Sequence, residues 1–130
     1  MAGPEGWRTI ELDDAARFAV PPDAQAQDVQ PLDSIFGMLR GQGYEVIYDY
    51  GRFGEDLVAL EDQPGYARRA RTVDGRAADD VTFRGNGAPW STVRLLHVAD
   101  GRNHLTIRVS CTAEETCRLA DDLFDSVRFR

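Results

Sequence analysis

Residues 91–110 read STVRLLHVADGRNHLTIRVS, and the fold turns on how this stretch pairs with itself. Two runs rich in apolar and β-branched residues flank Asp100-Gly101-Arg102-Asn103, whose composition is that of a turn. A symmetric turn there sets Leu96 opposite Ile107 and Val98 opposite Leu105. Those four residues make one face apolar. Leu95, His97, His104, Thr106 and Arg108 fall on the other face, because side chains alternate along a strand. A period of two held across both arms predicts an antiparallel hairpin with one face on a core.

The reading extends outward from this hairpin. Upstream, residues 66–73 and 76–84 flank Asp74-Gly75, a strong short signal for a two-residue hairpin turn. That turn sets Arg69 opposite Asp80, Tyr66 opposite Phe83 and Arg68 opposite Val81. Residues 44–50 are aromatic or β-branched apart from two acids and predict a strand. Tyr44, Val46, Tyr48 and Tyr50 share one of its faces. Trp7 to Leu12 and Ala16 to Val20 predict two short strands around Asp13-Asp14, the second stopped by Pro21-Pro22. Residues 23–32 read as a surface loop, and residues 51–64 as a loop with at most one turn of helix. Ile35, Phe36, Met38 and Leu39 have helical spacing. They predict a short helix near residues 34–40, capped by Asp33 or Ser34 and ended at Gly41-Gln42-Gly43.

Downstream, Thr112-Ala113-Glu114-Glu115 has the form of a capping box. Ala113, Cys117, Ala120, Phe124 and Val127, with Leu119 and Leu123, then form an apolar helical stripe. Residues 126–130 leave that helix as an extended tail. The expected fold is therefore α+β, one domain over residues 1–130. It has an antiparallel sheet of roughly six or seven strands, with the C-terminal helix on one face and the short helix covering another part.

Composition narrows the function classes. The chain has 130 residues and a net charge of −7, with 42% apolar and 28% charged residues. All fifteen basic residues are arginine. The acidic balance argues against non-specific nucleic-acid binding and against docking on anionic lipid. No stretch approaches the ~18 apolar residues of a membrane helix, so membrane insertion is not expected. Met1-Ala2-Gly3-Pro4 has neither a basic n-region nor an apolar h-region, so no signal peptide is expected in the sequence as it stands. The cluster Arg68-Arg69-Ala70-Arg71 reads first as a solvated strand face, and second as an anion site.

Four constellations carry possible chemistry. Cys111 ends the inward face of its strand and Cys117 lies on the inward stripe of the helix, so both sulfurs aim at one junction. A disulfide, two buried free thiols, and a metal or redox pair are the three readings. Zinc wants more ligands than this spacing supplies. His97 and His104 are diagonal neighbours on one sheet face but lack a third ligand at fixed spacing, so no metal and no cofactor is expected. Asp33, Glu45, Asp49, Asp56 and Glu61 make the middle of the chain acidic, with no distance fixed between any two. Tyr44, Tyr48, Tyr50 and Phe53, with Arg52 at the edge, are read as a partly exposed groove that binds a protein segment. The alternative is a packed core face.

Three stretches give the chain a resemblance to a known family. The opening carries a Trp and a strand ending in Pro, Trp7 to Pro22. The middle carries Val73-Asp74-Gly75-Arg76-Ala77 within a hairpin. The end carries a strand, a helix and Ser126-Val127-Arg128-Phe129. With Asp33-Ser34 and Tyr48-Asp49-Tyr50-Gly51, these resemble the PsbP-like α/β/α fold, nearest to its small bacterial exported proteins. The resemblance implies a domain that binds other proteins and brings no catalytic motif. The expected function is a non-enzymatic extracytoplasmic or periplasmic accessory domain of a bacterium with a protein partner. An oxidised Cys111–Cys117 pair favours export. A cytoplasmic adaptor or secretion chaperone of the same fold and a carboxylate-dependent hydrolase are the alternatives.

Overall fold

In a computed structural model, the described residues are 4–28, 35–52, 57–85, 87 and 89–130. The hairpin at the centre of the sequence is also the centre of the fold. β8 (Thr92–Asp100) and β9 (Asn103–Cys111) pair with Leu96 opposite Ile107 and Val98 opposite Leu105. All four side chains are fully buried. β6 (Ala67–Val73) and β7 (Arg76–Arg84) pair as the Asp74-Gly75 turn requires, with Arg69 opposite Asp80 and Arg68 opposite Val81. Asp74 and Gly75 both have positive φ, 49° and 76°, the geometry of a type I′ turn.

β3 (Gln25–Ala26), β4 (Ile35–Gly41) and β5 (Tyr44–Gly51) complete a seven-stranded antiparallel sheet in the order β3-β4-β5-β9-β8-β7-β6. A second sheet has three strands: β1 (Arg8–Leu12), β2 (Ala16–Val20) and β10 (Arg128–Phe129), with β2 in the middle. α1 (Leu119–Asp125) follows a 3-10 turn at Thr116–Arg118. The main core lies between the large sheet and a layer made of α1 and the small sheet. It joins Phe18, Val46, Leu96, Ile107, Leu123 and Phe124. The opposite face carries a smaller cluster of Val81, Phe83, Val93 and Leu95 under Leu57 and Leu60, at the 3-10 turn Val58–Leu60.

Two expectations are corrected. Residues 35–41 form strand β4, not a short helix, and Asp33 and Ser34 lie outside the described residues. The reason is cross-strand packing. Gly37 is opposite Tyr48 and Gly41 opposite Tyr44, and each tyrosine ring lies where a Cβ on the glycine would stand. Glycine costs a helix and is no obstacle here, because an aromatic ring on the next strand covers it. The capping box does not form either. Neither Thr116–Arg118 nor α1 has a side-chain cap, and the first α-helical residue is Leu119. A disulfide ties Cys111 to Cys117 across a Cα separation of 5.5 Å, so the six residues after β9 double back in tight turns.

Candidate functional site

β6 reads Ala-Arg-Arg-Ala-Arg-Thr-Val, and alternation turns Arg69, Arg71 and Val73 toward α1. The hairpin register puts Asp80 directly opposite Arg69. Arg94 on β8 is opposite Thr82, one diagonal step from Asp80. A long side chain reaches that far. Three guanidiniums therefore converge on one carboxylate. Asp80 Oδ2 accepts from Arg69 at 3.1 Å, Arg71 at 2.8 Å and Arg94 at 3.0 Å. The Asp80 side chain is 0% exposed, against 10% for Arg94, 14% for Arg71 and 65% for Arg69.

α1 closes this network from above. Asp121 and Asp125 sit one turn apart and share a face. Arg94 donates to Asp121 at 2.9 Å, and Arg71 donates to Asp121 at 3.3 Å and to Asp125 at 2.8 Å. Both guanidiniums also lie over the Phe124 ring, 5.5 and 5.6 Å from its centroid. The Nε groups of Arg71 and Arg94 are buried without a hydrogen-bond partner. Partial burial works against the charge on Asp121, but the bonds from Arg94 and Arg71 outweigh it and hold its carboxyl below the ordinary value. Burial likewise opposes the charge on Arg71 and Arg94, and the carboxylates outweigh it.

An open cleft of about 730 Å³ runs between β6–β7–β8 and residues 113–121. Arg69, Asp80 and Arg94 line one wall; Glu114, Arg118 and Asp121 line the other. Cys117 also lines it, so the disulfide anchors that second wall to the end of β9. In the sequence the arginines of β6 read as a solvated face. Asp121, which they bind, and Arg94, which shares Asp80 with them, are distant in the chain, and only the fold brings them together.

The expected aromatic surface is placed differently. Tyr44 and Tyr50 are buried, 3% and 8% exposed, and belong to the main core. Tyr44 donates to Asp23 at 2.6 Å and Tyr50 to Asp100 at 2.6 Å. Burial, then the neighbouring carboxylate, push both hydroxyl pKa values up. Tyr48 is half-buried, edge-on to Phe18 with ring centroids 5.4 Å apart. The face read as a groove is thus turned into the core. Arg52 is exposed, and Phe53 lies outside the described residues.

The other constellations do not converge on a reactive centre. Glu45 is held by Arg40 at 2.7 Å. Asp49 sits four residues along the same strand face, roughly 13 Å away at strand rise. Its Oδ1 is buried without a partner. Glu61 is exposed in a turn, and Asp33 and Asp56 lie outside the described residues. His97 and His104 are stacked, with ring nitrogens 2.9 Å apart, and His97 Nδ1 is 3.4 Å from Asp79. Among the described residues no three potential metal ligands cluster, and no helix is long and apolar enough to cross a membrane.

Neither a protein-family model nor a curated protein matches the chain. Nine chains of solved structures do match. One is the solution structure of the cyanobacterial PsbP protein CyanoP from Synechocystis sp. PCC 6803, with a TM-score of 0.64. The match covers 98% of this chain and 95% of that one at 14% identity. The chain has a PsbP-like fold.

Proposed function

We propose that this PsbP-like domain is a non-enzymatic accessory module that works outside the cytoplasm by docking a partner protein at the cleft between β6 and α1. The observation that carries the reading is the state of the charged groups in that cleft. Asp80 is satisfied by three guanidiniums and Asp121 by two. The sealed Asp80 cannot reach a substrate, and Arg94 and Arg71 hold the Asp121 carboxyl below its ordinary value, which makes it a weak base. Carboxylate-dependent hydrolysis therefore finds little support here. The same network fixes the cleft walls rigidly and leaves Arg69 and Arg118 exposed at its mouth. Arginine on a preorganised surface is a favoured anchor at protein interfaces.

Compartment rests on the Cys111–Cys117 disulfide, since such bonds persist where the environment is oxidising. A cytoplasmic adaptor of the same fold would carry this pair as thiols. Of the five residues first read as the docking surface, Tyr48 and Arg52 are the described ones that are not buried, and neither lines this cleft.

Partner capture tests it. Purified domain is cross-linked to an extract of extracytoplasmic proteins, beside an Arg118→Glu variant. The expected result is a specific partner held by the parent protein and lost on charge reversal. A partner held equally by both proteins removes the cleft from the reading. Recovery of the native protein from its cells with two alkylatable thiols removes the compartment.

A further inference from the structure

β6 is the outer strand of the large sheet, and among the described residues no strand pairs with its outer edge. In a two-residue hairpin the residues flanking the turn form a hydrogen-bonded pair, so Val73 and Arg76 bond to each other. Pairs then alternate. Arg71, Arg69 and Ala67 bond to β7, whereas Thr72, Ala70 and Arg68 point their backbone N–H and C=O groups away from the sheet. Among the described residues, no backbone hydrogen bond reaches those outward groups. Arg68, Ala70 and Thr72 are all exposed. This makes a template of three donor–acceptor sites at the spacing of a strand, seven residues long and next to the cleft.

Charge selects what the template can accept. Arg69 projects from one face of β6 and Arg68 from the other, with side chains 65% and 44% exposed. Of the carboxylates beside them, Asp80 is sealed, Asp79 is 29% exposed, and Asp121, 3.7 Å from Arg69, is 49% exposed but already bound by Arg71 and Arg94. A second copy of this chain is a poor occupant. Every antiparallel β6–β6 register that uses two or more of the outward sites sets Arg69 against Arg71, or an arginine against itself, and like charges directly opposite repel.

We propose that the free edge of β6 takes up an extended acidic segment of the partner protein as an additional strand of the large sheet. Its carboxylates face Arg69 on the cleft side and Arg68 on the other. The proposal rests on the reading of the domain as a protein-binding module and names the chemistry of the partner.

The test uses the isotope-labelled domain and three synthetic peptides of β6 length. One repeats Glu-Glu-Thr-Thr, which puts carboxylates on both faces of a strand, one repeats Arg-Arg-Thr-Thr, and one is the acidic peptide N-methylated at alternate residues. The acidic peptide is expected to slow hydrogen exchange at the amides of Arg68, Ala70 and Thr72. It should bind about tenfold more tightly than the basic one, since two or three cross-strand charge pairs change sign. N-methylation should abolish binding by removing donors. Ala70→Pro should abolish it from the other side: the Ala70 N–H takes no part in the β6–β7 ladder, so this edge position accepts proline. Should Ala70→Pro not fold, the methylated peptide carries the same comparison. Equal binding of acidic and basic peptides, protection mapped elsewhere, no peptide binding, or concentration-dependent dimerisation through β6 would each overturn the edge. A partner captured equally by parent and Ala70→Pro proteins would overturn the edge and leave the binding-module reading standing. No captured partner together with no peptide binding would overturn both.

Discussion

Asp80→Ala is the sharpest probe of the network that joins α1 to the sheet. Asp80 is fully sealed and accepts from Arg69, Arg71 and Arg94. Removing it leaves two largely buried guanidiniums short of a counter-charge. Breaking a buried ion pair from one side costs about 3–5 kcal/mol. Asp121 stays within 2.9 Å of Arg94 and 3.3 Å of Arg71 and partly compensates. Arg69, largely solvated, can swing into water. The expected loss is therefore near the lower end, about 3 kcal/mol, or about 12 °C in Tm for a chain of this size. Arg69→Ala should cost under about 1 kcal/mol, as exposed pairs do. A double replacement, Asp80→Leu with Arg94→Met, should recover much of the loss, since an apolar isostere avoids the desolvation of both charges. Urea melts followed by circular dichroism measure all three at constant m-value. If Asp80→Ala costs less than Arg69→Ala, the buried carboxylate is not what holds the three arginines, and the reasoning fails.

Other outcomes follow from single features. The unreduced protein should weigh two hydrogens less than the reduced one, and reduction should cost about 2 kcal/mol, the loop-closure value for so short a ring. Gly37→Ala should cost about 1–3 kcal/mol because the new methyl meets the Tyr48 ring. Tyr48→Ala, which removes that ring, should cost about 3 kcal/mol; a thermal melt unchanged by either substitution would contradict the packing. Asp23, Asp100 and Asp121 are all held below the ordinary carboxylate value of 3.8. Backbone and side-chain bonds from Gln42 and Tyr44 do this for Asp23; at Asp100, bonds from Tyr50 and Arg76 outweigh the opposing effect of burial. Depressed folded values add stability that is complete above 3.8 and lost as pH falls through the lower folded values. Melting temperature should thus be insensitive to these three groups at neutral pH and fall on acidification below 3.8; a fall already complete at pH 5 would contradict it.

Hairpins were legible in the sequence because their signals are local. Asp74-Gly75 and Asp100 to Asn103 fix turn and register within a few residues, and the alternation of Leu96, Val98, Leu105 and Ile107 does the rest. The strand at 35–41 was not legible in the same way. Ile35, Phe36, Met38 and Leu39 put apolar side chains on both faces, and such a run carries no period of two. Its telling residues are Gly37 and Gly41, whose meaning appears only when Tyr48 and Tyr44 are set opposite them. The capping box misled for a related reason: the Cys111–Cys117 crosslink, not the Thr112 side chain, governs how the chain leaves β9. The cleft was the least legible feature. Arg71 and Arg94 give no sign in the sequence of sharing Asp80, Asp121 and Phe124, because their contacts depend on three strands and a helix being in place.

The small sheet has a consequence for how the protein is made. β2 sits between β1, its neighbour in the chain, and β10, which follows every strand of the large sheet. β10 pairs Arg128 with Arg17 and Phe129 with Ala16, and the Phe129 N–H donates to the Asp74 side chain. On a ribosome, the β1–β2 hairpin therefore emerges with one edge unfilled, and waits for every strand of the large sheet before that edge is closed. A lone hairpin is marginal in water. The β2–β10 pairing is a non-local contact that must close a loop containing the whole large sheet, the kind of contact that topology makes slow to form.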